Sequence, residues 1–341
     1  MSATPRRDLH VVGEEPVKKL TLVQAVADAL ATEMRRDPTV LVMGEDVGRN
    51  GGVFRATEGL YDEFGPDRVM DTPLSESGIV GTAIGLAMTG WRPVAEIQFM
   101  GFVYPAINQL LAHAARMRNR TRGRFSVPMV VRMPYGGGIH APEHHSESYE
   151  ALFVHTPGIK VVVPSTPHDA KGLLIAAIRD PDPVLFMEPK RIYRAFRGEV
   201  PAGDYTVPIG TARLVREGDD VTLIAWGAMV PVAEDAAREL EREGVGCEVL
   251  DLRTLNPLDI EAIEGSVRKT GRAVVVHEAP RQAGLGAEIS ALLMERCILD
   301  LEAPVQRVAG FDTVMPLARM EKLYLPHRDR VVRAVRRTLE F

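Results

Sequence analysis

Cysteine is nearly missing from this 341-residue chain: Cys247 and Cys297 are its only two, and they form no C-x-x-C pair. That excludes a disulfide framework and a thiolate zinc site. Both thiols read as small core hydrophobes in a reducing, cytoplasmic setting. No apolar run approaches the roughly 20 residues of a membrane span. Basic residues are not in excess, and a net charge of −5 leaves no electrostatic footprint for nucleic acid. Gly136-Gly137-Gly138 lacks the Gly-Lys-Ser/Thr ending of a phosphate loop. Gly284-Leu285-Gly286 lacks the third glycine of a dinucleotide fingerprint, so nicotinamide binding is poorly supported. No G-x-S-x-G elbow exists, which argues against an α/β-hydrolase.

What is present is a repeated alternation of strand and helix. Thr21 and Gln24 form a capping box ahead of a helix with Val23, Val26, Leu30 and Met34 on one face. Strands are expected at 40–43, 94–99, 127–132, 159–163 and 184–187. Helices are expected from Glu76, over 105–119 and over 169–179. Residues 134–149 form a loop rich in glycine and histidine. Residues 190–209 have no period and read as a linker. The alternation then restarts, with strands at 221–226, 248–252, 273–277 and 305–308. Helices there are expected over 233–243, 259–269 and 287–298, with a basic one at 329–339. Such a pattern implies an α/β fold with mainly parallel sheets flanked by helices. The length suits two domains, 20–190 and 210–341, joined by 191–209. Residues 1–19 are polar and mixed in charge, and read as a flexible arm rather than a signal peptide.

The candidate chemistry is polar and incomplete. Glu76 is a lone acid in the first turn of a helix rich in small residues, including Gly78, Gly81, Ala83 and Gly85. A capping acid is the plain alternative. The apolar surroundings, Leu74 and Ile79, would desolvate it and raise its proton affinity, a condition for acid–base work. His140, His144 and His145 lie in the loop after a strand, where α/β sheets place ligands. Metal ligation by them is poorly supported, because no H-E-x-x-H helix exists and Pro142 interrupts the loop. Exposed loop histidines remain the plain alternative. Nothing in the chain looks built to hold a diphosphate and its metal.

Several long segments carry a resemblance: GEDVGRNGGVFRATEGLYDEFGPDRVMDTPLSESGIVGTAIGLAMTG, PVAEIQF, HHSESYEALFVHTPGIKVVVPSTPHDAKGLL, VTLIAWG and HEAP. Together they resemble the beta subunit of the thiamine-diphosphate-dependent 2-oxo acid dehydrogenases, over about residues 20 to 340. The resemblance implies a transketolase-type pyrimidine-binding domain followed by a transketolase C-terminal domain. It implies an alpha subunit, absent from this chain, that holds the diphosphate and magnesium through a Gly-Asp-Gly motif. Glu76 matches the glutamate that hydrogen-bonds the aminopyrimidine ring nitrogen and favours its imino form. Leu74, Gln98 and Phe102 match positions lining that ring; some members have tyrosine where Phe102 stands. Glu45 is implied as a supporting residue. His145 matches the histidine expected to donate a proton or orient groups during reductive acylation of lipoamide, with His144 as its rival. Met129, Ala177, Ile178, Asp180 and Asp182 match a potassium site built largely from carbonyl oxygens, with Asp182 where relatives often have asparagine.

The expected assembly is a heterotetramer of two alpha and two beta chains that acts on a 2-oxo acid, pyruvate or branched-chain, and serves a lipoyl acyltransferase core. The basic helix bearing Arg330, Arg333, Arg336 and Arg337 is either a solvated face or a docking surface for that core. Rival readings are an acetoin dehydrogenase beta subunit, a self-sufficient transketolase-type enzyme and a non-catalytic interaction subunit.

Overall fold

The computed structural model describes residues 16–341. The strands are β1 (Val17–Leu20), β2 (Val40–Gly44), β3 (Val69–Asp71), β4 (Arg92–Glu96), β5 (Val130–Tyr135), β6 (Lys160–Val162), β7 (Val184–Pro189) and β8 (Gly198–Pro201). They continue with β9 (Arg213–Arg216), β10 (Val221–Ala225), β11 (Cys247–Asp251), β12 (Thr254–Asn256), β13 (Ala273–Pro280) and β14 (Gln306–Gly310). The central ones are short, rich in β-branched residues and buried on both faces, as parallel strands under helices must be.

Two sheets result. The first has the order β12-β6-β7-β5-β4-β2-β3 and is parallel except for β12. The second has the order β14-β13-β10-β11-β9 and is parallel except for β9. β12 belongs to the second half of the chain but completes the edge of the first sheet. Asn256 Nδ2 donates to the carbonyl of Ile159 at 2.6 Å beside that pairing. The capping box at Thr21 forms as expected, and its helix, Leu22–Arg36, packs against helix Pro167–Arg179.

Three features of the first sheet are charged and buried. Arg132 on β5 lies wholly buried between Glu96 on β4 and Glu188 on β7. Its guanidinium donates to Glu96 at 2.8 Å and to both oxygens of Glu188 at 2.6 and 2.9 Å. This group ties three neighbouring strands together below their carboxyl ends.

The structure corrects the sequence reading in several places. The helix expected over 105–119 is a broken series: a 3-10 segment Met100–Ala106, a π turn Gln109–His113, a 3-10 turn Ala114–Arg116 and a short helix Met117–Arg120. Pro105 lies inside the first of these and removes a backbone donor. The segment read as an aperiodic linker contains β8, which pairs antiparallel with β1. β1 in turn occupies the last residues of the expected arm; the remainder of that arm, 1–15, lies outside the described residues. In the basic helix, Arg330 donates to the carbonyls of Tyr324 and Ala309, and Arg336 pairs with Glu243 at 2.6 Å. Half of that proposed docking face therefore serves the fold.

Candidate active site

The chain reverses direction across the first sheet at β2: β3 lies on one side of it and β4 on the other. A crevice opens at such a switch point, outside the carboxyl ends of the strands. Glu45 directly follows β2, Glu76 opens the helix after β3, and Gln98 stands two residues beyond β4. Two hydrogen bonds knit these exits together: Thr72 N–H donates to the Gly44 carbonyl at 2.9 Å, and Gly48 N–H to Asp71 Oδ1 at 2.7 Å.

Glu76 lies in the first turn of helix Glu76–Met88. Ser75 is its N-cap, but the hydroxyl makes no capping bond; the helix starts through Ile79 N–H and the Ser75 carbonyl. Glu76 is buried and Glu45 half-buried. Burial, then the charge on Glu76, then that on Asp46, raise the Glu45 carboxyl above its usual range. The Glu76 charge thus acts on the Glu45 carboxyl across the crevice. The Thr72 hydroxyl is buried nearby with no partner among the described residues.

The histidine loop meets this edge through an aromatic wall. The rings of Phe99 and His145 lie 4.4 Å apart, edge to face. Phe102 lies 5.1 Å from His145 and 5.4 Å from His144, and Tyr104 stacks on His144 at 6.1 Å. Gly101 makes this approach possible, because any side chain there would collide with the His144 carbonyl. Burial, Lys190 and His144 hold the His145 imidazole below its ordinary pKa, and its Nδ1 is buried without a partner among the described residues. His140 stands apart: it is exposed and pairs with Glu321 at 3.6 Å.

Not every expected residue joins this site. Leu74 projects outward, 79% exposed. The potassium set lies elsewhere, at the amino end of β5 and the carboxyl end of helix Pro167–Arg179. There the Ile178 carbonyl accepts from Arg92 at 2.8 Å and the Asp180 carbonyl at 3.3 Å. The Asp180 carboxylate pairs with Lys160 and Asp182 pairs with Arg118, both at 2.6 Å. Sequence reasoning missed Lys190, which stands beside His145. Its position at the end of a buried strand was the available signal.

A carboxyl pair, an amide and a histidine beside aromatic rings offer hydrogen-bonding groups and flat apolar faces. Comparison with known proteins identifies the fold and the family. Residues 18–195 match the transketolase pyrimidine binding domain, and residues 210–331 the transketolase C-terminal domain. A solved structure titled as a split gene transketolase, inactive beta4 tetramer, matches with a TM-score of 0.76 at 24% identity. It covers 95% of this chain and 99% of that one, and supports the fold alone. The two domain matches and the fold thus define a protein of the transketolase type. Pyruvate dehydrogenase E1 component subunit beta of Bacillus subtilis is 56% identical over 323 residues, 95% of this chain and 99% of the relative. The subunits of the same name from Staphylococcus epidermidis and Staphylococcus aureus are 54% and 52% identical over the same shares. The chain belongs to the beta subunits of the thiamine-diphosphate-dependent 2-oxo acid dehydrogenases. Among the described residues, no helix is long and apolar enough to cross a membrane.

Proposed function

We propose that this chain, joined to an alpha subunit in an α2β2 heterotetramer, decarboxylates a 2-oxo acid and passes the acyl group reductively to lipoamide on an acyltransferase core. Pyruvate is the proposed substrate, on the names of the relatives. The observation that carries the reading is the meeting of Glu45 and Glu76 at the switch point of the first sheet, with the charge of one raising the proton affinity of the other.

Thiamine diphosphate, when bound, supplies the nucleophilic carbon and the electron sink. Glu76 holds a proton toward the aminopyrimidine ring nitrogen. Glu45, its carboxyl raised by burial and by the Glu76 charge, supports that end of the site. Gln98 and Phe102 would line the ring, and Leu74 is assigned to it on the family resemblance alone. His145 supplies the proton that the lipoyl sulfur takes up on reduction; burial and the Lys190 charge make its protonated form the stronger acid. Magnesium is assigned to ligands of the alpha subunit. The carbonyls of Met129, Ala177, Ile178, Asp180 and Asp182 are proposed for potassium: they are hard oxygens, and each carbonyl beside Arg92 keeps a second lone pair.

Calorimetry tests the reading. Thiamine diphosphate with magnesium should bind the co-expressed pair and not the isolated chain. Tight stoichiometric binding by the isolated chain would overturn it in favour of a self-sufficient transketolase-type enzyme. A panel of pyruvate, branched-chain 2-oxo acids and acetoin then settles the substrate, and faster turnover of either rival would replace pyruvate.

A further inference from the structure

Lys190, the first residue past β7, is only 3% exposed. Its ammonium donates to the backbone carbonyl of His145 and lies 5.3 Å over the ring of Phe99, the same ring that meets His145 edge-on. A buried ammonium is costly, and an apolar side chain of similar length would fill the space more cheaply. The lysine therefore has a task other than filling. At the other end of the loop, Glu321 reaches in from the second domain, 2% exposed. Its carboxylate accepts from Gly138 N–H at 2.7 Å and from His140 N–H at 3.1 Å. His140 takes a φ of +59°, a conformation that a non-glycine residue holds only when its surroundings enforce it.

We infer that Lys190 and Glu321 are positioning residues that pin the two ends of the loop carrying His145, so that the second domain helps to set where this histidine stands. The inference rests on the proposed role of His145 for its consequence in catalysis. Its structural content is independent of that role. The charges that bear on His145 are Lys190, from the end of β7, and His144 and Glu143, on its own loop. Lys190 in turn faces Glu278 and Glu321 of the second domain and Glu147 of the loop.

The test uses the assembled, cofactor-loaded complex with Lys190→Met, Lys190→Arg and Glu321→Met, the last removing both acceptor oxygens. Amide hydrogen exchange across 136–148 should quicken about tenfold in Lys190→Met and Glu321→Met, reporting loosened ends of the loop. Acyl transfer to lipoamide should fall about tenfold in Lys190→Met, and more than decarboxylation measured with an artificial electron acceptor. Burial pulls the Lys190 amine down to about 7, so its ammonium titrates in the range of His145. Removing it should move the pH profile upward where His145 titrates. Lys190→Arg keeps a donor and a charge and should restore exchange and transfer rate. Wild-type exchange in Lys190→Met and Glu321→Met overturns the inference, whatever the activities. If Lys190→Met does not fold, Glu321→Met decides by the same exchange measurement. Slow acyl transfer in Lys190→Met without a change in exchange or pH profile also counts against the clamp. If His145→Asn transfers acyl groups normally, the role of His145 fails, and the exchange data still judge the clamp.

Discussion

Arg132→Met is the most severe single change expected in this chain. Methionine fills nearly the same volume but removes the charge and all three hydrogen bonds to Glu96 and Glu188. Two buried carboxylates then face each other without a cation; the hydroxyl of Tyr193 still donates to Glu188. Removing one partner of a buried ion pair costs about 3–5 kcal/mol. For a domain of this size that lowers the melting temperature by roughly 6–20 °C. The loss must also depend on pH. Burial already raises the Glu96 carboxyl, despite the opposing effect of Arg132, and without the arginine it rises further. A carboxyl raised in the folded state contributes stability that is present below its unfolded pKa and lost as pH climbs through its folded value. The deficit of Arg132→Met should therefore be smallest near pH 5 and widen toward pH 8. Calorimetric melts at pH 5, 6.5 and 8 measure it. The triple variant Glu96→Gln, Arg132→Met, Glu188→Gln leaves no uncompensated charge and should recover at least half of the loss. A deficit under about 1 kcal/mol, or one independent of pH, would refute the reasoning.

Glu76→Gln should lower turnover of the reconstituted complex by about 10²–10⁴ while cofactor affinity changes far less, because it removes the titrating proton and keeps the shape. Turnover near wild type would restore the non-catalytic reading. His145→Asn should depress acyl transfer to lipoamide by about 10² or more, with a much smaller effect on decarboxylation read by an artificial acceptor; equal losses in the two assays would remove its assigned role. Potassium at about one hundred times its dissociation constant should stabilise the folded chain by about 2.7 kcal/mol. Melts in potassium and choline chloride at equal ionic strength check this, and identical curves would discard the site.

Much of the fold could be read from the chain because its signals are local. A run such as Val40-Leu41-Val42-Met43 is buried wherever it lies, and the reciprocal Thr21 and Gln24 bonds need only four residues. Glu76 stood out as a lone acid opening an otherwise apolar helix. The missing parts depend on neighbours far away in sequence. Thr254-Leu255-Asn256 becomes a strand only because β6 offers it an edge. The apolar residues between 100 and 120 have the content of a helix, but Pro105 and the histidine loop pressing on Gly101 break it into tighter and wider turns. Glu96, Arg132 and Glu188 each look like a stray charge in a hydrophobic strand. Only the register, which pairs Glu96 with Arg132 and sets Glu188 two residues beyond the partner of Arg132, brings them together.

The same dependence separates the acid end of the candidate site from the histidine end. Glu45, Glu76 and Gln98 follow three strands of one sheet, so the topology of the first half alone gathers them. His145 has no such frame. Its loop rests on Gly101 from one side, on Lys190 from another and on Glu321 from the second domain. The second domain is itself attached to the first sheet by β12. The separation between Glu76 and His145 is therefore a property of how the two domains dock. Residues far from either group, on β12 or around Glu321, should influence the transfer step without altering the carboxyl pair.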